Sequence, residues 1–269
     1  MITGIEKGSN DEEKAGFGLT SIVVLTWNGL RYTKDCLESV RKHTYPDYEL
    51  IVVDNGSTDG TVEWLEKRDL KLIRNETNRG YAAGVNQGVK TAAGRNILLL
   101  NSDTVVTAGW LDRMLDVLYI EPNVGMVGPT SGPPEVRPQG IFFPPPYQDV
   151  QGLETFAWLW GAAFSGCLVG AIQLSGMCLL IKREVFDKIG MMDECFKIGG
   201  CEDTDFCNRA VKAGYRLLVR ADTFIHHHGG RTFAENGLDR EAIVNENRII
   251  YNERWPELTC GLAKKNGKP

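Results

Sequence analysis

The sequence predicts an α/β fold, in which a mostly parallel central sheet is covered by helices on both faces. Apolar, β-branched runs of strand type alternate with stretches of helical periodicity in the first half of the chain. Such alternation is typical of parallel strands joined by helices. Polar clusters follow directly after two of these runs, at Asp54 and at Asn101-Ser102-Asp103. Ligands bind at the carboxyl ends of strands in open α/β sheets, so these clusters indicate where function should be sought.

The first half of the chain contains four predicted units of strand and helix. Residues 20–26 form an apolar run, and residues 33–43 follow with Leu37 and Val40 at helical spacing. The unit then repeats, with strands predicted at 49–54, 70–74 and 96–101 and helices at 59–67, 81–93 and 108–119. A fifth strand is predicted at 124–128.

The regular pattern changes after residue 128. Seven prolines lie between residues 129 and 146, and they predict a long loop because proline disrupts helices and strands. Beyond this loop the sequence predicts strands at 173–182, 215–219 and 223–227 and helices at 183–189, 204–214 and 239–254. The chain has no Gly-x-Gly-x-x-Gly after its first strand and no P-loop pattern, which argues against dehydrogenases and P-loop hydrolases.

Composition limits the function further. With 269 residues, the chain is long enough to bury a sizeable core, and its 42% hydrophobic and 24% charged residues are typical of soluble globular proteins. A formal net charge of -5 argues against a nucleic-acid partner, which would need clustered Lys and Arg. Seven cysteines without paired spacing predict free thiols and a reducing, cytoplasmic environment.

Six short segments carry the most specific information. They are Thr26-Trp27-Asn28, residues 54–59, residues 78–86, Asn101-Ser102-Asp103, Glu202-Asp203-Thr204-Asp205 and His226-His227-His228. Their order and spacing resemble glycosyltransferase family 2, in particular rhamnosyltransferase-like members. The resemblance runs from about residue 21 to about residue 233. It implies a GT-A-like fold and the transfer of a sugar from a nucleotide-linked donor.

The extent of the resemblance and the polar composition of both ends together predict a domain organisation. We expect a flexible leader at 1–18, a GT-A glycosyltransferase domain at 19–254 and a polar tail at 255–269. Within the domain, the nucleotide-binding half should be 19–128 and the acceptor and catalytic half 129–254. The leader lacks the apolar core and cleavage site of a signal peptide, so we expect a cytoplasmic protein, with the inner face of the membrane as a further possibility.

The stretch between Glu154 and Lys182 contains no charged residue. It is long enough in principle to cross a bilayer, although four glycines and several polar residues interrupt it. We favour a buried strand with a packed helix, because residues 172–181 resemble a core strand of the family. A transmembrane helix and an apolar surface facing the acceptor or a membrane are the alternatives.

The nucleotide site is predicted at the ends of the first two strands. A carboxylate at the end of a buried strand can accept an N–H of a base. The resemblance assigns Asp54 to a uracil or thymine ring, with Thr26, Trp27 and Asn28 beside it and with Ser102 as a further nucleotide contact. The alternative for Asp54 is a structural cap of the turn that follows.

A second group of nucleotide contacts is predicted before the third helix. Asn78, Arg79 and Gly80 precede a helix that begins with small residues. The positive charge of Arg79 and the N-terminus of that helix suit phosphate or ribose oxygens. We interpret the small residues as allowing the backbone to approach a ligand. The alternative is a tight loop packed closely against the sheet.

A divalent metal, Mn²⁺ or Mg²⁺, is predicted at the end of the fourth strand, because such ions prefer carboxylate and phosphate oxygens. The family's usual Asp-x-Asp pair is altered, since Asn101 stands at its first position and leaves Asp103 as the charged ligand. The resemblance implies a further ligand among the three histidines. Strand alternation places His226 and His228 on one face and His227 on the other, and we prefer His226.

The resemblance assigns the general base to Asp203. A carboxylate that deprotonates an acceptor hydroxyl typically contributes ~10²- to 10⁴-fold, and a neighbouring Glu202 should raise the pKa of Asp203 by like-charge repulsion. The structural alternative is that these carboxylates stabilise the start of their helix. We expect Asp205 and Arg209 to hold that helix in place.

Together these assignments predict an inverting hexosyltransferase that moves one sugar from a UDP- or dTDP-linked donor to an acceptor hydroxyl. The acceptor is expected to be a glycan, a lipid-linked molecule or a protein, within polysaccharide biosynthesis, and peripheral membrane contact is a further possibility. One alternative is a non-catalytic nucleotide-sugar binding or scaffold module. Another is a sugar nucleotidyltransferase, although that class should have a basic, Gly-rich loop after its first strand.

Overall fold

The computed structural model describes residues 15–132, 139–141, 146–147 and 150–258. The strands are β1 (Thr20–Thr26), β2 (Tyr48–Asp54), β3 (Lys71–Arg74), β4 (Asn96–Asn101), β5 (Thr104–Val105), β6 (Val124–Ser131), β7 (Leu168–Ala171), β8 (Cys178–Lys182) and β9 (Arg216–His227). The helices are α1 (Leu30–His43), α2 (Thr61–Leu65), α3 (Tyr81–Thr91), α4 (Trp110–Leu118), α5 (Leu153–Ala163), α6 (Arg183–Ile189), α7 (Glu202–Lys212), α8 (Arg231–Glu235) and α9 (Arg240–Arg254). Short 3-10 turns occur at Ala15–Phe17 and Glu194–Phe196.

The strands form a nine-stranded sheet of order β3-β2-β1-β4-β8-β6-β9-β5, with β7 paired to β9. Helices cover both of its faces. Ile22 and Val24 of β1 belong to one core with α1 and α4, while Val23 between them belongs to the core beneath α3 and α7. The α/β class is thereby confirmed. The sheet is mixed, because β3-β2-β1-β4 and β6-β9 are parallel whereas β8, β7 and β5 run antiparallel to their neighbours.

The parallel part of the sheet brings three strand ends together. Thr26 pairs with Asp54 on β2, and Leu25 pairs with Asn101 on β4. Since β1 lies between β2 and β4, Asp54 and Asn101 flank Thr26 at a single edge of the sheet. This is the edge at which ligands bind in open α/β folds.

β9 is one continuous strand where the sequence predicts two. Its register against β6 shifts between Pro129 and Thr130, whose partners are Arg220 and Phe224. The polar residues that interrupt the apolar pattern lie at this irregularity. There, Arg220 Nε donates a hydrogen bond to Asp222 Oδ1 at 2.6 Å. β6 continues through Pro129 because proline is tolerated at such irregularities. Most of the predicted long loop, 129–146, lies outside the described residues.

Both ends of the predicted domain extend further than expected. Within the predicted leader, Phe17 stacks on Tyr119 with ring centroids 5.4 Å apart, and its carbonyl accepts a hydrogen bond from Asn96 Nδ2 at 3.0 Å. Within the predicted tail, Trp255 is buried. Phe17 and Trp255 therefore pack against the domain, while 1–14 and 259–269 lie outside the described residues.

The uncharged stretch forms most of α5, the short strand β7 and most of β8. The predicted helix and buried strand therefore both occur, but the strand covers only Cys178–Lys182 of the predicted 173–182, and β7 is additional. Leu153 and Ala157 bury one side of α5 beside Phe224, whereas Trp158 is 71% exposed. Ile172, after β7, is 79% exposed. The stretch is therefore less buried than the favoured interpretation assumes. Among the described residues, no helix combines the length and apolar character needed to cross a membrane.

A buried carboxylate joins α7 to the last helix. Asp205 accepts hydrogen bonds from Arg209 Nε at 2.9 Å, from Arg254 Nη1 at 3.0 Å and from Trp255 Nε1 at 3.0 Å. Arg254 also pairs with Asp193 Oδ2 at 2.7 Å. Because a buried charge is costly unless it is paired and hydrogen-bonded, these contacts hold the end of α9 against α7.

Replacing this carboxylate should destabilise the whole domain. We expect Asp205→Ala to lower the free energy of unfolding by about 3 kcal/mol, because two guanidinium groups lose their buried partner. Urea denaturation measures the change. Glu246→Ala is the matched control, since its pair with Lys197 has both side chains 66% exposed and should change stability by less than about 0.5 kcal/mol. Equal losses in the two variants would contradict the role given to Asp205.

Candidate active site

The carboxyl edge of the sheet opens into a cleft of ≈ 980 Å³. Its walls come from the ends of β1 and β4, the first turn of α7, and helices α8 and α9. The residues predicted to act that line it are Thr26, Trp27, Asn78, Ser102, Asp103, Glu202 and Asp203. Those outside its lining are Asn28, Asp54, Arg79, Gly80 and His226. The structure thus brings carboxylates from distant parts of the sequence to one concave site.

Asp54 is buried, with only 1% of it exposed, and it does not line the cleft. Its Oδ1 accepts hydrogen bonds from the backbone N–H groups of Gly56 at 3.1 Å and Ser57 at 2.9 Å. Asp54 therefore caps the turn, which was the structural alternative given in the sequence analysis. Its Oδ2 is buried without a hydrogen-bond partner among the described residues. A buried carboxylate oxygen without a partner is costly, so this atom has unused capacity to accept a hydrogen bond. Contact between Asp54 and a nucleotide stays a prediction.

Asn28 binds neighbouring segments of the protein. Its backbone lies in the left-handed region at φ 56°, and its side-chain Oδ1 accepts the N–H of Thr58 at 2.8 Å. Its Nδ2 donates to Asn236 Oδ1 at 2.6 Å, and Asn236 Nδ2 donates to the Trp27 carbonyl at 3.0 Å. Asn28 therefore fixes the loop after β2 and ties α8 to the end of β1.

Gly80 meets the protein's own backbone. Its φ is +89°, and a Cβ at this position would lie 1.9 Å from the Lys197 carbonyl oxygen. A Cβ on Gly84 would lie 2.4 Å from Leu25 Cδ1, so the small residues of α3 allow the helix to pack closely on β1. The interpretation of these small residues as room for a ligand is therefore wrong. Asn78 Oδ1 accepts the Gly80 N–H at 2.8 Å as a local cap, and Arg79 is exposed.

Asp103 joins β5 to the end of β9. Its Oδ1 lies 3.0 Å from His227 Nε2, its Oδ2 accepts the Arg231 N–H at 3.1 Å, and its carbonyl accepts the His228 N–H at 2.9 Å. Burial alone would raise the pKa of this carboxyl, but His227 and the Arg231 amide outweigh burial and hold the pKa below its ordinary value. Asp103 and His227 are thus the polar pair that faces the cleft.

The three histidines alternate as strand geometry requires. His226 Nε2 lies 3.3 Å from His228 Nδ1, so these two share a face, and His226 Nδ1 lies 2.8 Å from the hydroxyl of Tyr147. The preference for His226 beside Asp103 does not agree with this arrangement, because His227 occupies that position. The sequence establishes that the faces alternate, but it does not indicate which face meets Asp103. Among the described residues, no cluster of three or more His, Cys, Asp or Glu side chains forms a complete metal site.

The loop before α7 contains strained backbone. Lys197 and Cys201 are non-glycine residues with φ of 50° and 78°. Such conformations cost on the order of 1–3 kcal/mol and persist only where surrounding contacts impose them. Asn247 of α9 supplies contacts of this kind, donating to the carbonyls of Phe196 at 2.6 Å and Gly199 at 2.9 Å. The C-terminal helix therefore holds the loop that directs the first turn of α7 into the cleft.

Glu202 and Asp203 have different surroundings in that first turn. Asp203 Oδ2 accepts the Gly176 N–H at 2.9 Å, and its Oδ1 accepts the Thr204 N–H at 2.7 Å and hydroxyl at 3.2 Å. Glu202 is 6% exposed, and its Oε2 has no hydrogen-bond partner among the described residues. Burial and then the charge of Asp203 raise the pKa of Glu202 to about 8. The sequence-based expectation placed a raised pKa on Asp203, and the structure gives a raised pKa for its neighbour Glu202.

Several polar residues that shape the site were not predicted from the sequence. Asn55 Nδ2 donates to Asn78 Oδ1 at 3.0 Å and to the Gly80 carbonyl at 3.1 Å. Its position directly after β2 was a signal that could have found it. Tyr81 donates to the Gly176 carbonyl at 2.9 Å. Asn236 and Asn247 gave no such signal, because their partners are distant in the sequence.

Comparison with known proteins assigns the chain to a family. The model of the family described as Glycosyl transferase family 2 matches residues 21–164, slightly more than half of the 269 residues. The chain belongs to glycosyl transferase family 2. The resemblance derived from the six sequence segments is thereby confirmed.

Two relatives show how much of a longer protein this chain matches. It is 30% identical to uncharacterized protein y4gI of Sinorhizobium fredii over 89% of this chain and 28% of that protein. It is 28% identical to a poly-beta-1,6-N-acetyl-D-glucosamine synthase of Staphylococcus epidermidis over 64% of this chain and 42% of that protein. The chain thus spans less than half the length of either relative. The narrower resemblance to rhamnosyltransferases stays a prediction.

A solved structure shows the same fold. It is the mannosyltransferase PcManGT of Pyrobaculum calidifontis in complex with GDP-Man and Mn2+, with a TM-score of 0.58, 21% identity, and coverage of 78% of this chain and 56% of that chain. The structural likeness supports the GT-A-like architecture predicted from the sequence.

Proposed function

We propose that this family 2 protein is an inverting glycosyltransferase that uses Asp203 as its general base. The observation that carries the proposal is the single cleft that Thr26, Asp103 and Asp203 line together. Such a cleft can hold a nucleotide at the sheet edge and an acceptor at α7 simultaneously. The supporting relatives are the synthase and mannosyltransferase named above, whose names specify sugar transfer.

The donor nucleotide is proposed to lie at the ends of β1 and β2. Asp54 Oδ2 has an unused acceptor site beneath this edge, and an N–H of a pyrimidine ring fits that chemistry. Thr26, Trp27 and Ser102 supply cleft surface beside it, and Asn28 keeps the loop in place. A UDP- or dTDP-sugar remains our proposal, although the structural relative named above contains GDP-Man.

Mn²⁺ or Mg²⁺ is proposed to bind beside Asp103, with His227 in place of His226. The donor set fits, because a carboxylate and an imidazole lie 3.0 Å apart in the cleft wall and could both turn toward an ion. Two protein ligands suit an ion that also binds substrate phosphates and water. When bound, such an ion would neutralise negative charge on the departing diphosphate. The mannosyltransferase named above contains Mn2+.

The transfer step is proposed to be a single displacement. The acceptor oxygen forms a bond to the anomeric carbon while the bond from that carbon to the diphosphate oxygen breaks, and the hydroxyl proton passes to the Asp203 carboxylate. Hydrogen bonds from Gly176 and Thr204 orient this carboxylate and favour its charged form. Attack from the face opposite the leaving group inverts the anomeric configuration.

Two alternatives from other classes are less well supported. A scaffold module would not need a carboxylate held by strained backbone at the start of α7, where Asp203 lies. A nucleotidyltransferase should have a basic, Gly-rich loop after β1, whereas residues 26–30 read Thr-Trp-Asn-Gly-Leu. Donor turnover separates the three, because transfer or slow hydrolysis supports the transferase, pyrophosphate-dependent chemistry the nucleotidyltransferase, and binding alone the scaffold.

The acceptor is proposed to be a glycan, a lipid-linked molecule or a protein within polysaccharide biosynthesis. One observation favours contact with a membrane at the cytoplasmic face. Trp158, Leu159 and Ile172 are each more than half exposed within the uncharged stretch, and Ile172 also lines the cleft. Exposed apolar residues of this kind could present the acceptor end of the cleft to lipid.

Substitution of the proposed base should separate catalysis from binding. We expect Asp203→Asn to fold and bind donor but to lose at least about a hundredfold in kcat, because the amide cannot take a proton. Sugar transfer or donor hydrolysis is measured with UDP-, dTDP- and GDP-linked sugars. Asp187→Asn, which replaces an exposed carboxylate on α6, is the control and should keep full activity. Normal turnover by Asp203→Asn would remove Asp203 from the mechanism.

Metal binding should distinguish the histidines. We expect Mn²⁺ to raise the melting temperature of the wild type in the presence of UDP, dTDP or GDP, because a ligand that binds the folded state stabilises it. Asp103→Ala and His227→Ala should abolish this shift, and His226→Ala should retain it. A shift lost only in His226→Ala would restore the sequence-based preference, and a shift retained in all variants would exclude this metal site.

Membrane contact should be apolar in character. We expect the protein to float with phosphatidylcholine vesicles, with little dependence on salt, because the uncharged stretch offers no ionic attraction. Trp158→Glu should weaken flotation, whereas Ile249→Glu, at an exposed apolar residue of α9, should not. The absence of flotation by the wild type, or equal effects of both variants, would count against the proposed surface.

A further inference from the structure

Glu202 and Asp203 form a pair of neighbouring carboxyl groups on the wall of the cleft. Two such groups cannot both ionise without strong repulsion, so at neutral pH one of them tends to keep a proton. Their local contacts decide which one keeps it. The transferase proposal gives Glu202 no separate role beyond its nearness to Asp203.

Hydrogen bonding places the negative charge on Asp203. Three donor contacts from Gly176 and Thr204, at 2.7 to 3.2 Å, point at its two oxygens and stabilise a carboxylate. Glu202 has the opposite surroundings, because its Oε2 is buried and without a partner among the described residues. A carboxylic acid tolerates such a position better than a carboxylate does. The proton of the pair therefore belongs on Glu202.

The titratable and charged groups around Glu202 agree with this distribution. Asp203 and Cys201 flank it in the chain, Tyr81 faces it from α3, and Arg248 lies on α9 near Cys201. Within the part of the chain that the structure describes, Glu202 forms no ion pair with Arg248 or another cation. Burial and then Asp203 raise the pKa of Glu202 to about 8, while backbone amides oppose them only in part.

We propose that Glu202 is a positioning residue whose neutral carboxyl donates a hydrogen bond from Oε2 to a sugar oxygen in the cleft. This inference rests on the proposed transferase function. Glu202 keeps its proton throughout the reaction, while Asp203 takes the proton of the acceptor hydroxyl and later returns it to solvent. A neutral Glu202 also leaves Asp203 free to carry the charge that a base needs.

The proposed role requires the protonated form of Glu202, and this requirement predicts how transfer activity depends on pH. Glu202 is neutral and active as a donor below its pKa, and it ionises as the pH rises through about 8. Ionisation removes the donor and places a second negative charge beside Asp203. Activity should therefore fall on the alkaline side, and a side chain that cannot ionise but still donates should remove that fall.

The experiment compares pH profiles of kcat and KM for wild type, Glu202→Gln and Glu202→Ala. We expect Glu202→Gln to stay within about threefold of wild type at pH 7 and to lose the alkaline fall, because glutamine is neutral and donates. Glu202→Ala should lose about tenfold, since a buried hydrogen bond is worth roughly one such factor. A Glu202→Gln variant as inactive as Asp203→Asn, or one that keeps the alkaline fall, would overturn the proposal.

A spectroscopic readout does not depend on turnover. Difference infrared spectra between wild type and Glu202→Gln at pH 7 should show the carbonyl band of a protonated carboxyl group, and the band should vanish above pH 9. Absence of that band at pH 7 would overturn the proposal even in an active enzyme. A wild type that shows the band but transfers no sugar would instead overturn the proposed function.

Discussion

The parallel alignment of β2, β1 and β4 is the constraint on which the site depends. Main-chain pairing places Asp54, Thr26 and Asn101 at one edge, whatever their side chains do. Asp103 then follows β4 directly and can meet the end of β9, where His227 lies. The polar groups of the cleft are therefore gathered by strand order before any side-chain contact forms. This is why motifs far apart in the sequence can act together.

The second half of the site is held by polar contacts more than by the sheet. α7 projects its first turn from a loop with strained residues, and strain persists only where neighbours impose it. Asn247 binds the carbonyls of that loop, and Asp205 fixes α7 against Arg254 and Trp255. The proposed base is thereby positioned in part by residues outside the lining of the cleft, namely Asn247 and Asp205. A change at Asn247 or Asp205 could therefore alter catalysis without removing a side chain from the cleft wall.

The sequence predicted those parts of the molecule that depend on local pattern. Apolar runs located β1, β2 and β4, and the polar residues after them, such as Asp54 and Asp103, line or border the cleft. The role of Gly80 and the choice between His226 and His227 could not be predicted, because each depends on a contact with a distant segment. The uncharged stretch was also ambiguous, since apolar residues show the same composition whether they are buried or, like Trp158, exposed.

α9 is a long helix with little apolar anchoring. Asn247 is its one buried residue, although the helix spans Arg240–Arg254. Hydrogen bonds are directional and weaken steeply outside a narrow range of distance and angle. The position of α9 is therefore set largely by a few directional contacts, among them those of Asn247 and of the Arg254 guanidinium. Because Val244, Arg248 and Tyr251 of this helix line the cleft, the shape of that wall depends on the same few contacts.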